Sequence, residues 1–70
     1  MEIRWVSRGN ALLGYLGELE APVFTIARGE ENVMTPHLPG AEMSWSKSER
    51  QLQEIAGQQL AKFCRDAGLQ

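Results

Sequence analysis

The sequence predicts an α+β domain: an antiparallel β-meander of three to four strands with one C-terminal helix packed on one face. Two patterns support this prediction. Short apolar runs bounded by turn residues fill the first half of the chain, which is typical of strands. The last third has the apolar periodicity of a helix. A chain of 70 residues that is 43% hydrophobic has room for one thin core, so residues 1–70 are expected to form a single domain.

The strands are predicted from alternation and from the residues that can bound them. Ile3 and Trp5 share one face of the first strand, and Phe24 and Ile26 share one face of the third. Pro36 has no N–H to donate, so the fourth strand should lie at an edge or be interrupted there. The strands are expected over residues 2–6, 11–19, 23–28 and 33–38.

The second strand is ambiguous, because both of its faces carry leucines. Leu13 would share one face with Tyr15, while Leu12 and Leu16 would share the other. This pattern indicates that the second face is partly buried, and a partner is one way to bury it. Gly14 and Gly17 in the same strand indicate a bulge or a close backbone approach.

The helix is predicted over residues 47–67. One arc of its helical wheel holds the apolar residues Leu52, Ile55, Ala56, Leu60, Phe63 and Ala67. Ser46 and Ser48 each stand three residues before a Glu or Gln, which is capping-box spacing. Gly68 should end the helix in the left-handed conformation, with Leu69 folding back on it. Gln59 lies inside the apolar arc, and its amide is expected to reach a strand backbone or the solvent edge.

No set of residues has the spacing of a catalytic, metal or cofactor site, and we predict a protein that is not an enzyme and holds no cofactor. His37 has no nucleophile or carboxylate at motif spacing, so an exposed strand position is expected. One Cys and one His cannot supply the four ligands of a structural zinc ion. Gly14 and Gly17 are not followed by a helix, which argues against a phosphate-binding loop.

Charge and hydropathy restrict the partners and the compartment. A net charge of −2 and a pI of about 5.2 argue against a nucleic-acid partner. No run approaches the roughly 20 apolar residues of a membrane span. The N-terminal segment lacks the pattern of a signal peptide. Cys64 is the lone cysteine, expected as a half-buried apolar residue, and it fits a reducing compartment, so we expect a cytoplasmic protein.

The segment before the helix is the candidate binding surface. Met43 and Trp45 lie there among small polar residues. Trp45 could close the core beneath the start of the helix. Alternatively, Met43 and Trp45 form a hot spot for a protein partner. The acidic turn containing Glu30 and Glu31 is the next candidate for partner binding.

Several short motifs resemble those of small proteins encoded by bacteriophages and prophages. These motifs are Trp5, Tyr15-Leu16-Gly17, Phe24, Ile26, Leu38-Pro39-Gly40 and the serine-led helix that ends Ala67-Gly68-Leu69. Some small phage proteins are anti-CRISPR proteins, which bind and block a host defence complex. The resemblance therefore implies an accessory protein that binds, and by this analogy inhibits, a host protein complex.

Two alternatives stay open. The first is a weak nucleic-acid-binding module that uses Arg4, Arg8, Arg28, Lys47 and Arg50. The helix segment 56–62 resembles the end of a double-stranded RNA-binding domain, but the chain lacks that module's leading helix and lysine-rich helix start. The second is a homo-oligomer, such as a homodimer, joined through the fourth strand or the second sheet face. The residues that suggest it are Leu12, Leu16 and Gln59.

Overall fold

A computed structural model of the chain describes residues 2–68 and shows one antiparallel sheet with one helix packed on it. Its elements are β1 (Ile3–Arg8), β2 (Ala11–Leu16), β3 (Phe24–Ala27), β4 (Asn32–Pro36), β5 (Ser44–Ser46) and α1 (Glu49–Asp66). The strands lie in the sheet in the order in which they occur in the chain, β1-β2-β3-β4-β5. The α+β class and the meander topology are confirmed.

The sheet has five strands, whereas three to four were predicted. β5 pairs with β4 over Asn32–Met34, so β4 lies inside the sheet and the prediction that it could be an edge strand is wrong. Pro36 is the last residue of β4 and lies beyond the residues that pair with β5, so its missing N–H is tolerated. The strand ends at Pro36, in agreement with the predicted interruption. A three-residue strand is too short to give a periodic signal, which explains why the sequence did not show β5.

A tight turn joins β1 and β2 and sets their register. Gly9 has a φ of 58° and no non-glycine residue among those described has a positive φ, so Gly9-Asn10 has the pattern of a type II′ turn. Arg8 and Ala11 therefore close the hairpin as direct partners. The first strand consequently extends to Arg8 instead of ending at residue 6.

The second strand ends earlier than predicted. Leu16 is its last residue because Gly17 has a φ of 51° and Leu19 N–H donates to the Leu16 carbonyl at 3.0 Å, which forms a turn. Gly14 has a different role. A Cβ at Gly14 would lie 2.8 Å from side-chain atoms of both Ile3 and Trp5, so the groups that approach this glycine closely are side chains and not the backbone that the sequence suggested.

The core lies between the sheet and α1. Paired residues of an antiparallel sheet share a face, and this face holds Phe24, Ile26 and Met34, all fully buried. Leu52, Ala56 and Leu60 cover them from α1. The helix packs chiefly on β3, β4 and β5. Above β1 and β2 the face is closed by Trp5, whose ring centroid lies 6.4 Å from that of Phe24.

Both ends of α1 have the local structure that the sequence predicts. Ser48 is the N-cap and its hydroxyl accepts from Gln51 N–H at 3.2 Å. Ser46 belongs to β5 and its hydroxyl donates to the Gln51 side chain at 2.7 Å. Gly68 has a φ of 74°, which is the left-handed conformation expected after the helix. Leu69, whose contact was also predicted, lies outside the described residues.

Candidate functional site

The face of the sheet opposite α1 is the candidate binding surface, here called the open face. One row of direct partners crosses all five strands on this face: Arg8, Ala11, Ala27, Val33 and Trp45. A second row consists of Val6, Leu13, Thr25 and Thr35, and a third pairs Arg4 with Tyr15. No helix or strand of residues 2–68 packs on the open face. The leucines on both faces of β2 are explained, since Leu12 and Leu16 face the helix and Leu13 faces outward.

Trp45 is the most prominent apolar group on the open face. Its side chain is 57% exposed, and its strand partner Val33 is half-buried. The interpretation in which Trp45 closes the core is therefore wrong. Successive residues of a strand point to opposite faces, so the register with β4 turns Trp45 away from α1, while Ser44 and Ser46 face it.

The other predicted binding residues lie near this surface. Met43 is 47% exposed and immediately precedes β5. Glu30 and Glu31 are exposed in the turn between β3 and β4. That turn is held close to the start of α1, because the buried Asn32 donates from Nδ2 to the Lys47 carbonyl at 3.3 Å. Partner binding by these residues stays a prediction.

The open face has a distinct charge. Of the strand residues that face outward, only Arg4 and Arg8 are charged, and both belong to β1. The Arg4 guanidinium lies 5.1 Å from the centroid of the Tyr15 ring, which is a cation–π distance. The strand positions of the open face therefore combine apolar groups and two aromatic rings with positive charge along one side.

Arg28 is not available as a surface cation. Its Nε donates to Glu49 Oε2 at 2.9 Å and its Nη2 donates to Glu49 Oε1 at 3.1 Å. Its Nη1 donates to Ser7 Oγ at 2.9 Å. The guanidinium thus joins the end of β3 to the start of α1 and to β1. This structural use removes Arg28 from the predicted nucleic-acid-binding set.

The remaining candidate residues, His37, Gln59 and Cys64, have few contacts that suggest a function. The ring of His37 lies 3.1 Å from the Thr25 hydroxyl. Gln59 donates to the Glu42 carbonyl at 3.0 Å, so its amide reaches a loop backbone, while its Oε1 is buried with no partner among the described residues. Cys64 is half-buried against the core, as predicted. Residues 2–68 contain no cluster of three or more His, Cys, Asp or Glu side chains that could hold a metal ion.

Two grooves flank the C-terminal half of α1 on the other side of the molecule. One lies between α1 and the turn after β2, and Leu19, Leu60 and Phe63 line it. The other lies between α1 and the loop before β5, and Glu42, Gln59 and Lys62 line it. Leu19 is 57% exposed, the same fraction as Trp45, but it lies off the open face. It therefore provides a matched control for Trp45.

Comparisons of the chain with family models, curated proteins and solved structures return no match. Across residues 2–68, no helix has the length and apolar character needed to cross a membrane.

Proposed function

We propose that this chain is a small non-enzymatic interaction protein that binds another protein through the open face of its sheet. The observation that supports the proposal is the row of apolar side chains that crosses β2, β3, β4 and β5, begins beside Arg8 of β1 and ends at the exposed Trp45. Tryptophan is among the residues most enriched in binding hot spots, where burial of its ring supplies a large part of the affinity. An exposed apolar patch on a small domain is a typical interaction surface.

The charge of the face specifies the chemistry of this partner. Arg4 and Arg8 lie on one side of the face and no acidic residue occupies its strand positions. A complementary partner presents an apolar surface with acidic groups opposite β1. In line with the resemblance to phage proteins, we propose a host protein complex in the bacterial cytoplasm as the partner and inhibition of that complex as the effect.

The test is affinity capture from bacterial lysate with the tagged chain, its Trp45→Ala variant and its Leu19→Ala variant. Both substitutions remove an equally exposed apolar side chain, so each should change the free energy of unfolding by about 0.5 kcal/mol or less. We expect a stoichiometric protein that wild type and Leu19→Ala capture and Trp45→Ala does not. Capture that is equal for all three variants would place the contact elsewhere.

A second variant tests the centre of the face without changing the tryptophan. Ala27 is exposed on β3 and has Ala11 and Val33 as its strand partners. Ala27→Arg places a long charged side chain at this position, and the same protein should be lost from the capture. Inhibition is then measured by adding wild type and Trp45→Ala to the purified partner complex and comparing its activity.

A nucleic-acid partner is the second candidate, favoured by the presence of Arg4, Arg8, Tyr15 and Trp45 on one face. Aromatic rings that stack on bases and arginines that contact phosphates are the usual components of such a surface. Lys47 and Arg50, the other predicted cations, are exposed near the start of α1. Nuclease treatment before capture separates the two candidates, and binding to an oligonucleotide should fall steeply with salt if the second is right.

A further inference from the structure

β1 forms one edge of the sheet and differs from the opposite edge in length. It has six residues and contains no proline, whereas β5 has three residues. A long edge strand presents backbone N–H and C=O groups that can pair with another strand, and proteins commonly shorten, bend or charge such edges to prevent this. β5 is protected by its length, and β1 is the edge that is open to pairing.

The hydrogen-bond pattern shows which residues of β1 direct their backbone N–H and C=O groups away from the sheet. Asn10 and Gly14 use their carbonyls toward β3, accepting from Arg28 N–H and Val23 N–H at 2.8 Å each. The direction of the backbone N–H and C=O groups alternates along a strand, so the odd-numbered residues of β2 form their backbone hydrogen bonds with β1. Their partners on β1 are Arg4, Val6 and Arg8. The backbone groups of Ile3, Trp5 and Ser7 therefore point away from the sheet.

We propose that β1 pairs with β1 of a second copy of the chain, antiparallel, about a two-fold axis at Trp5. In this register Ile3 lies opposite Ser7 of the second copy, and Trp5 lies opposite its own equivalent. Each residue whose backbone groups point away from the sheet in one copy then lies opposite such a residue of the other copy. Hydrogen-bonded pairs therefore form along the whole strand. Moving the register by two residues leaves one of these residues without a partner in each copy.

The side chains fit the same register. Glu2, which precedes β1, comes opposite Arg8 of the second copy on the open face, and two-fold symmetry repeats this ion pair. On the helix side the two Trp5 rings become neighbours across the axis. Trp5 is only half-buried within one chain, because α1 packs chiefly on β3, β4 and β5. Pairing thus adds contact to an aromatic ring that the fold itself leaves partly open.

The remaining charged group near the axis is Arg4. Its direct partner in this register is Val6 of the second copy, and its guanidinium lies over the Tyr15 ring of its own chain. Arg4 and Arg8 of the second copy are its diagonal neighbours, so these like-charge pairs weaken the contact that the two Glu2–Arg8 pairs strengthen. The strand contact is small, and small interfaces are typical of weak complexes.

Such a dimer extends the sheet to ten strands. Paired residues share a face, and the register pairs odd residues with odd and even residues with even, so both open faces lie on the same side. The inference goes beyond the proposed function and does not depend on it.

The first test is the mass of the 7.8 kDa chain by sedimentation equilibrium from about 10 μM to about 1 mM, a range chosen for a weak complex. We expect the mass to rise to twice that of the chain. A monomer throughout the range would overturn the proposal.

Ser7 provides a matched pair of variants. Ser7→Pro removes the outward N–H but no bond within the sheet, since proline is tolerated on an edge strand whose N–H faces solvent. Ser7→Ala removes the same hydroxyl, which accepts from Arg28, and keeps the N–H. We expect Ser7→Pro to be monomeric and Ser7→Ala to dimerise like wild type. A folded Ser7→Pro chain that still dimerises would contradict the proposal.

Charge reversal supplies a test that does not depend on the fold of the proline variant. Arg8→Glu places two carboxylates opposite each other at both ends of the contact, and the dissociation constant should rise by about tenfold. Adding Glu2→Lys restores opposite charges and should restore dimerisation. Failure of the double variant to recover would refute the register. Trp45→Ala should leave the mass unchanged, and if it abolishes the dimer, the open face is the contact between copies and the edge proposal is wrong.

Discussion

Substitution of Gly14 tests whether Trp5 closes the core above β1 and β2. The Cβ of Gly14→Ala would lie 2.8 Å from Ile3 Cγ2, 2.8 Å from Trp5 Cζ3 and 3.1 Å from Trp5 Cε3. Real Cβ atoms do not approach other heavy atoms so closely, so the two side chains must move. Gly14 has no positive φ, and alanine is therefore excluded by packing and not by backbone conformation.

Two effects of opposite sign set the size of the change. Overpacking of a core typically costs about 1–3 kcal/mol. Replacing glycine by alanine restricts the unfolded chain and stabilises by about 0.4–1 kcal/mol where the backbone permits it. We expect a net loss of about 1–2 kcal/mol, with Tm falling by about 4–8 °C for each kcal/mol in a domain of this size.

Thermal unfolding followed by circular dichroism measures the change, and Gly57→Ala is its control. Gly57 is exposed in α1 with nothing within 4 Å of an added Cβ, so the same substitution there should raise stability by up to about 1 kcal/mol. In a Trp45→Phe background, Gly14→Ala should also shift the Trp5 fluorescence to the red as the ring is displaced. A Gly14→Ala chain as stable as wild type, with unchanged Trp5 emission, would refute this account of the core.

Two further predictions concern the attachment of α1. Arg28→Ala breaks the contacts to Glu49 and should lower the free energy of unfolding by about 1 kcal/mol. The loss should be smaller in high salt, because the ion pair is partly exposed. The control is Arg50→Ala on the exposed side of α1, which should change the Tm little. Ser48→Ala removes the N-cap bond to Gln51 and should cost about 1 kcal/mol in urea unfolding, whereas Ser48→Asp keeps an acceptor and should retain most of the stability.

The parts of the fold that sequence predicted are those with local causes. The helix was recognised from its apolar arc and its caps, and both caps are present. Ile3 with Trp5, and Phe24 with Ile26, share faces because side-chain direction alternates along any strand. β5 had no such cause within three residues. It forms because the edge of β4 that does not pair with β3 is available for backbone hydrogen bonds. This pairing depends on the assembled sheet and not on the local sequence.

The candidate site was predicted in part for the same reason. Composition identified Trp45 as either core or contact, and register with Val33 decides between them. A register shift of one residue would have turned Trp45 toward the core. The structural use of Arg28 could not be predicted, since its partners Ser7 and Glu49 are both 21 positions away in the chain. Spacing along the sequence cannot distinguish such a structural arginine from a surface cation.

The core lies on one side of the sheet only, so the proposed binding by the other side can be tested without disturbing the core. All of the fully buried apolar side chains among the described residues lie on the helix side or in α1, and Trp5 closes the part of that side that the helix does not cover. Trp45 contributes to neither, because it projects from the opposite face as the central residue of the three-residue strand β5. Its removal should therefore spare the core, and a loss of binding in Trp45→Ala would report on the contact itself and not on unfolding.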